Sequence, residues 1–211
     1  MHPNFPRALQ AQLDAEPKDK INSFVRNFLP SIQEANQEIA RDRALLKSLM
    51  QRQTISAAQQ NWIESKMQVY RANSVSELWQ KMDVIPPSLV LSQAGLESGW
   101  GTSDIARQFN AFFGQKTWGD KNAVIAPGGE RYQTFENPAQ SIKSYMQNLN
   151  SHPAYQSLRQ TRAQLRKTNK PITGDILATG LEKYSTRGKD YVQQIQRMIR
   201  ARKWTDLDRY H

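Results

Sequence analysis

The order of apolar and polar positions along the 211 residues predicts helices almost throughout. Ile21, Phe24, Val25, Phe28 and Leu29 recur at helical spacing. Ile32, Ala35, Ile39, Leu45, Leu46 and Leu49 continue the stripe beyond Pro30, and Glu34, Glu38, Arg41, Asp42, Arg43 and Lys47 fill the other face. Pro30 lacks an N–H and crowds the preceding turn, so a kink, or a second helix opening near Ser31, is expected there. Ser56 followed by Gln59 is a capping-box pair, opening a helix through Trp62, Ile63, Met67 and Tyr70 that breaks near Asn73. A short helix follows over Ser74–Trp79, and Pro86-Pro87-Ser88 opens another in which Leu89, Gln93 and Leu96 share one face. Gly99 and Gly101 give the backbone freedom that stops it.

Between Phe113 and Phe135 the character changes. The runs Ala123–Ala126 and Arg131–Phe135 flank Pro127-Gly128-Gly129, which predicts a β-hairpin. After Pro138 the helical period returns with Ala139, Ile142, Tyr145, Met146 and Leu149. Further helices are expected over roughly 154–167, 173–183 and 188–203, the last with Val192, Ile195 and Ile199 inward. The fold class is thus predominantly α (α+β), a helical domain with a small β-hairpin wing and an N-terminal helical extension. The expected division is a loose arm over 1–20, a helical extension packed on the core over 21–73, and the main domain over 74–211. A partner-binding helix is the alternative for the extension. No internal repeat occurs.

Composition narrows the chemistry. There is no cysteine, hence no disulfide and no thiolate metal site, and His2, His152 and His211 have no zinc-like spacing. Neither metal nor cofactor is expected. No stretch approaches the roughly 20 apolar residues of a membrane span, and Met1–Arg7 has neither the basic start nor the apolar run of a secretory signal. An exported protein with this sequence would be a processed or a trimmed form. The net charge of +10 is concentrated late, in Arg159, Arg162, Arg166, Lys167, Lys170, Lys183, Arg187, Lys189, Arg197, Arg200, Arg202, Lys203 and Arg209. Such a face attracts polyanions, either nucleic acid or an anionic bacterial wall surface, unless it is merely solvated. No RNP, zinc-finger or helix-turn-helix signature supports specific nucleic-acid binding.

Glu97 carries the main chemical signal. It ends an apolar helix and meets the Ser98-Gly99-Trp100-Gly101 turn at once. The helix dipole and apolar surroundings would both push such a carboxyl upward, as a general acid near neutral pH requires; a solvated Glu beside a helix stop is the plainer alternative.

Ala94-Gly95-Leu96-Glu97-Ser98-Gly99-Trp100-Gly101 resembles the A-x-x-E-S-x-W-G signature of the family 73 glycoside hydrolases, peptidoglycan N-acetylglucosaminidases that include the flagellar hydrolase domain. Asn110–Gln115 resembles the family's Asn-Leu-Phe-Gly block, with two residues between Asn110 and Phe113-Gly114 where the family usually has one. Arg131–Phe135 with Asn137-Pro138 resembles a third block. Ser141–Asn150, His152–Tyr155 and Leu181–Ser185 are similar to the Bax-type branch. The resemblance implies a lysozyme-like fold whose helical lobe and β-wing flank a sugar cleft, and a periplasmic or secreted enzyme acting on peptidoglycan glycan strands.

Glycoside hydrolysis needs a proton donor and a group that stabilises an oxocarbenium-like transition state. Glu97 is the donor candidate. Glu130 at the hairpin is the second-carboxylate candidate, ahead of Glu136 and Asp120, and it could equally be a plain turn residue; assistance by the substrate's acetamido group would remove the need for it. The resemblance places Tyr184 close to the catalytic Glu. Trp100, Asn110, Phe113, Trp118, Tyr132 and Tyr191 are the candidates to line a sugar cleft, because aromatic rings stack on sugar faces. Trp100 could instead brace the Glu97 turn, and Asn110 could order the cleft rather than touch sugar. The function implied is an endo-β-N-acetylglucosaminidase. A lytic transglycosylase or muramidase of the same fold is one alternative, and a basic helical binding module with a degenerate hydrolase motif is another.

Overall fold

A computed structural model of the chain describes residues 20–117, 122–126 and 128–209. The arm expected over 1–20 lies outside these save for Lys20. The described residues are mostly helical: α1 (Lys20–Met50), α2 (Ala57–Tyr70), α3 (Val75–Lys81), α4 (Pro87–Ser98), α5 (Asp104–Phe109), α6 (Pro138–Ser151), α7 (Gln156–Lys167), α8 (Gly174–Leu177) and α9 (Lys189–Ala201). The two strands, β1 (Ala123–Ile125) and β2 (Arg131–Gln133), form an antiparallel hairpin. The predominantly α class with one small β-wing is therefore correct.

Local signals explain most boundaries. Ser56 and Gln59 form the reciprocal capping box of α2, and Arg71 closes that helix in the left-handed region (φ 52°). Ser74 caps α3 by accepting from the Glu77 N–H. Three expectations change. Of the two outcomes expected at Pro30, the second helix does not occur: one 31-residue helix runs through it. Proline removes a single donor, and Phe28, Leu29 and Ile32 beside it are all buried, so packing outweighs that loss. The helix expected over 173–183 is the four-residue α8 continued by a 3₁₀ turn over Ala178–Leu181. Gly180 lies there so close to the Leu158 backbone that no Cβ would fit. The short α5, capped by Ser103, and a 3₁₀ turn over Trp204–Arg209 are additional elements.

The chain divides into two compact units, residues up to 34 with 90–145, and residues 35–89 with 146 onward. The first has an aromatic core. Phe24 stacks on Phe28 at 4.1 Å and meets the Trp100 ring edge-on at 5.7 Å, while Phe28 meets Phe112 edge-on at 4.7 Å.

The second unit has an apolar cluster of Leu46, Leu49, Ile63, Tyr70, Ala72, Leu78 and Met82. Beside it lies a buried charge cluster at the C-terminus of α3, where carbonyls lack helical partners. Arg162 donates to the carbonyls of Gln80, Lys81, Asp83 and Val84 and to Asn150 Oδ1. Arg43 lies over the Trp79 ring at 3.6 Å and donates to the carbonyls of Trp79 and Met82. Asp83 supplies the counter-charge: Arg166 grips it with two hydrogen bonds of 2.6 Å, and Arg43 and Arg162 each stand 3.6 Å away. Burial alone would raise the Asp83 carboxyl, but the three guanidiniums outweigh it and hold the group below the usual aspartate range. Elsewhere in this unit Asp208 accepts from the Ser88 N–H (2.9 Å), the Ser88 hydroxyl (2.6 Å) and the Gly174 N–H (2.9 Å), capping α4 and α8 with one carboxylate.

Candidate active site

The first unit gathers most of the sequence-predicted site. α4 is buried on every side from Pro87 to Gly95, rather than on one face, and Glu97 emerges at its last turn. Gly99, Trp100 and Gly101 then all take left-handed conformations (φ 58°, 62° and 76°). Such a run is costly for tryptophan and is held by specific bonds. The Trp100 N–H reaches the Gly95 carbonyl at 2.8 Å, and Ser98 Oγ accepts from the Gly101 N–H at 2.8 Å. The Trp100 ring lies back over α4, and a Cβ at Gly95 would run into it. Gly95 and Trp100 thus interlock beneath Glu97. The Glu97 side chain is exposed, not enclosed by apolar neighbours as the sequence led us to expect, because the chain turns away from it directly afterwards.

Two further segments bring groups near it. α5 ends at Asn110, which adopts φ 53° and donates its amide to the Phe135 carbonyl at 3.0 Å. Asn110 is committed to joining this turn to the chain after β2. The following Phe113 is buried, 2% exposed, and stacks on Tyr145 at 4.0 Å. Its ring face is taken and is not offered to a ligand. Gly114 (φ 60°) passes the Glu97 carboxylate closely: a Cβ there would sit 3.7 Å from Glu97 Oε2. Side chains at Gly114 would crowd the space before that carboxylate.

On the hairpin, Tyr132 pairs with Val124 of β1 and, on its other side, bridges to Lys116. Residues two apart face the same way on a strand, so Glu130 and Tyr132 share a side. The Tyr132 hydroxyl donates to Glu130 Oε2 at 2.7 Å, and Lys116 Nζ donates to Glu130 Oε1 at 2.5 Å. Lys116, then Tyr132, hold the Glu130 carboxyl below the usual range. The Tyr132 phenol is raised, first by its bond to Glu130, with the charge of Glu97 a smaller contributor. Tyr132 is therefore bonded to Glu130 and within electrostatic reach of Glu97. Glu136 instead exchanges hydrogen bonds with Gln140 at the start of α6. Trp118 and Asp120 lie outside the described residues.

Tyr184 and Tyr191 belong to the second unit. Their rings stack at 5.6 Å, Tyr155 lies 6.1 Å from Tyr184 on the same ladder, and Arg187 stands 5.8 Å over Tyr191. Tyr191 is only 2% exposed, so its ring braces Tyr184 rather than presenting a face to solvent. Among the described residues, no group of three or more His, Cys, Asp or Glu could hold a metal ion, and no helix is long and apolar enough to cross a membrane. Sequence reasoning missed Lys116 and met Gly114 only as part of a motif block. Gln115-Lys116-Thr117 has no strand signature, and its pairing with β2 shows only in the fold.

The family of glucosaminidases described as mannosyl-glycoprotein endo-β-N-acetylglucosaminidase matches residues 72–203, a span that contains both carboxylates. The chain belongs to this family, family 73 of the glycoside hydrolases. Within it, the chain is 35% identical over 195 residues to Protein bax of Escherichia coli (strain K12), a match that takes in 85% of this chain and 71% of the relative. Among solved structures it overlaps the catalytic domain of the autolysin Auto from Listeria monocytogenes at 18% identity and a TM-score of 0.46, over 76% of this chain and 93% of that one.

Proposed function

We propose that the protein is a peptidoglycan hydrolase, an endo-β-N-acetylglucosaminidase, with Glu97 as general acid and Glu130 as the second carboxylate. The observation that carries this reading is the placing of Glu97, at the end of α4 and against Gly114, within electrostatic reach of Tyr132, whose hydroxyl bonds Glu130, in a chain of this family. Glu97 protonates the glycosidic oxygen as it leaves. A glycan strand seated on this exposed carboxylate would cover it and strengthen every charge interaction there. Glu130, held ionised by its two donors, stabilises positive charge on the sugar or activates water. Within the first unit Trp100, Asn110 and Phe113 act from beneath, fixing the groups that face the sugar, while Tyr132 lines the cleft. Trp118 is a further proposed sugar contact, and in the second unit Tyr191 braces Tyr184, for which a part in catalysis is also proposed.

The family match begins at residue 72, which supports a catalytic domain over 74–211. Residues 21–73 serve as an extension packed on it, through Phe24 and Phe28 against Trp100 and Phe112 and through Asn36 against Ile85. The exposed cations of α9 and its surroundings suit an anionic wall surface, and the setting is periplasmic or secreted. Digestion of purified sacculi, followed by borohydride reduction and mass spectrometry, tests the bond cleaved. Reduced N-acetylglucosamine ends are expected; anhydro-muramic or reduced muramic ends would instead mark a transglycosylase or muramidase.

A further inference from the structure

We propose that Lys116 is a positioning residue for the hydrolysis, fixing the Glu130 carboxylate from one side while Tyr132 fixes it from the other. The inference rests on the reading of Glu130 as the second carboxylate. Its ground is a pairing that joins three separate stretches of the first unit. The Thr117 N–H donates to the Arg131 carbonyl at 3.1 Å and the Gln133 N–H to the Gln115 carbonyl at 2.8 Å, so residues 115–117 run along β2 on the side opposite β1. That register sets Lys116 directly across from Tyr132 and diagonal to Glu130. Across the tip, the Ala126 N–H donates to the Glu130 carbonyl at 2.8 Å, which anchors the residue's backbone.

Both carboxylate oxygens therefore have a dedicated donor, one charged and one phenolic. The pair is open to solvent, Lys116 at 59% and Glu130 at 50% exposure. An ion pair so exposed adds little to stability. Its effect falls on orientation and protonation, where a carboxylate free to rotate or to take up a proton would fail. Among the described residues the titratable groups around Glu130 are Lys116 and Tyr132, with Glu97 acting on Tyr132; β1 brings none, and Arg131 alternates to the opposite side of its strand.

The test compares Lys116→Met, Lys116→Arg and Glu130→Gln on sacculi and on short soluble glycans, as kcat and KM across pH. Lys116→Met should keep the melting temperature, change KM by less than about twofold and lower kcat roughly tenfold, short of the ~10²–10⁴-fold attached to a group that itself moves the proton. Its acid limb should move to higher pH, because Glu130 then protonates more readily. Lys116→Arg should restore both. Rising salt should move the wild-type limb the same way but leave that of Lys116→Met in place. A Lys116→Met enzyme with wild-type kcat and acid limb beside an inactive Glu130→Gln overturns the role of Lys116 alone, as does a rise in KM with no shift in limb. A Glu130→Gln enzyme working near the wild-type rate removes the underlying reading and this inference with it.

Discussion

Two charge clusters, one in each unit, show how differently the same residue types are used. Around Asp83, the carboxylate and the Arg162 guanidinium are sealed in, the Asp83 side chain 3% exposed and that of Arg162 1%, while Arg166 closes the cluster from an exposed position (41%). Arg43 and Arg162 donate to backbone carbonyls and Arg166 to the Asp83 carboxylate, and the cluster closes the C-terminus of α3. Around Glu130 the pair stands in water, built on a hairpin of three-residue strands. A buried ion cluster is intolerant of change because removing one partner strands the others without water. An exposed one costs little to disturb in stability, so its geometry is free to serve chemistry. Damage to the first should unfold the protein, whereas damage to the second should leave a folded protein that does not work.

The largest effect should come from Glu97→Gln on the chemical side of this contrast. The amide keeps the shape but cannot donate the proton, so sacculus clearing should fall by about 10²–10⁴-fold with the urea midpoint unchanged. Near-wild-type clearing would remove Glu97 from its role. On the structural side, Asp83→Asn should destabilise the fold by about 3–5 kcal/mol in urea titrations at neutral pH, with specific activity retained in the molecules that remain folded. This difference has a pH signature. The native Asp83 carboxyl is depressed, so its contribution is complete above the ordinary aspartate value near ~3.9 and fades as pH falls through the lower native value. The stability gap between wild type and Asp83→Asn should therefore narrow in acid, and a gap independent of pH would refute the ion cluster as its source. The smallest effect concerns the late basic residues. Arg200 already pairs with Asp175 at 2.9 Å, but Arg197 and Arg202 are exposed on and just after α9. Reversing those two to Glu should weaken salt-sensitive binding to intact sacculi severalfold while sparing short soluble glycans. Salt-insensitive binding would leave that face as solvated surface.

The sequence read well where a signal is local. Ser56 with Gln59, Ser74, Pro87 and the glycines around Trp100 each act on backbone within a turn, and each marks a boundary found in the fold. It misled where a partner is distant. Arg159, Arg162 and Arg166 read as part of a basic surface, yet Arg159 and Arg162 are buried and Arg166 clasps a carboxylate that precedes it by 83 residues. Phe113 and Tyr191 read as open rings, but each finds another aromatic from a different segment. Lys116 gave no sign at all, since a single bridged residue has no periodicity to show. The candidate site was thus legible as a set of residue types, while the division between those that face outward and those that brace from behind depended on tertiary pairing.

The double cap at Asp208 bears on the order of events during synthesis. Ser88 opens the helix that ends in Glu97, and its N–H and hydroxyl find their acceptor only on residue 208, 120 positions later. A nascent chain still on the ribosome must hold that helix start, and the start of α8 at Gly174, without their carboxylate. Any product cut short before residue 208 inherits the same defect permanently. The start of the helix that presents Glu97 is thus fastened only once residue 208 has been made and has folded back onto Ser88, however early the helix itself leaves the ribosome.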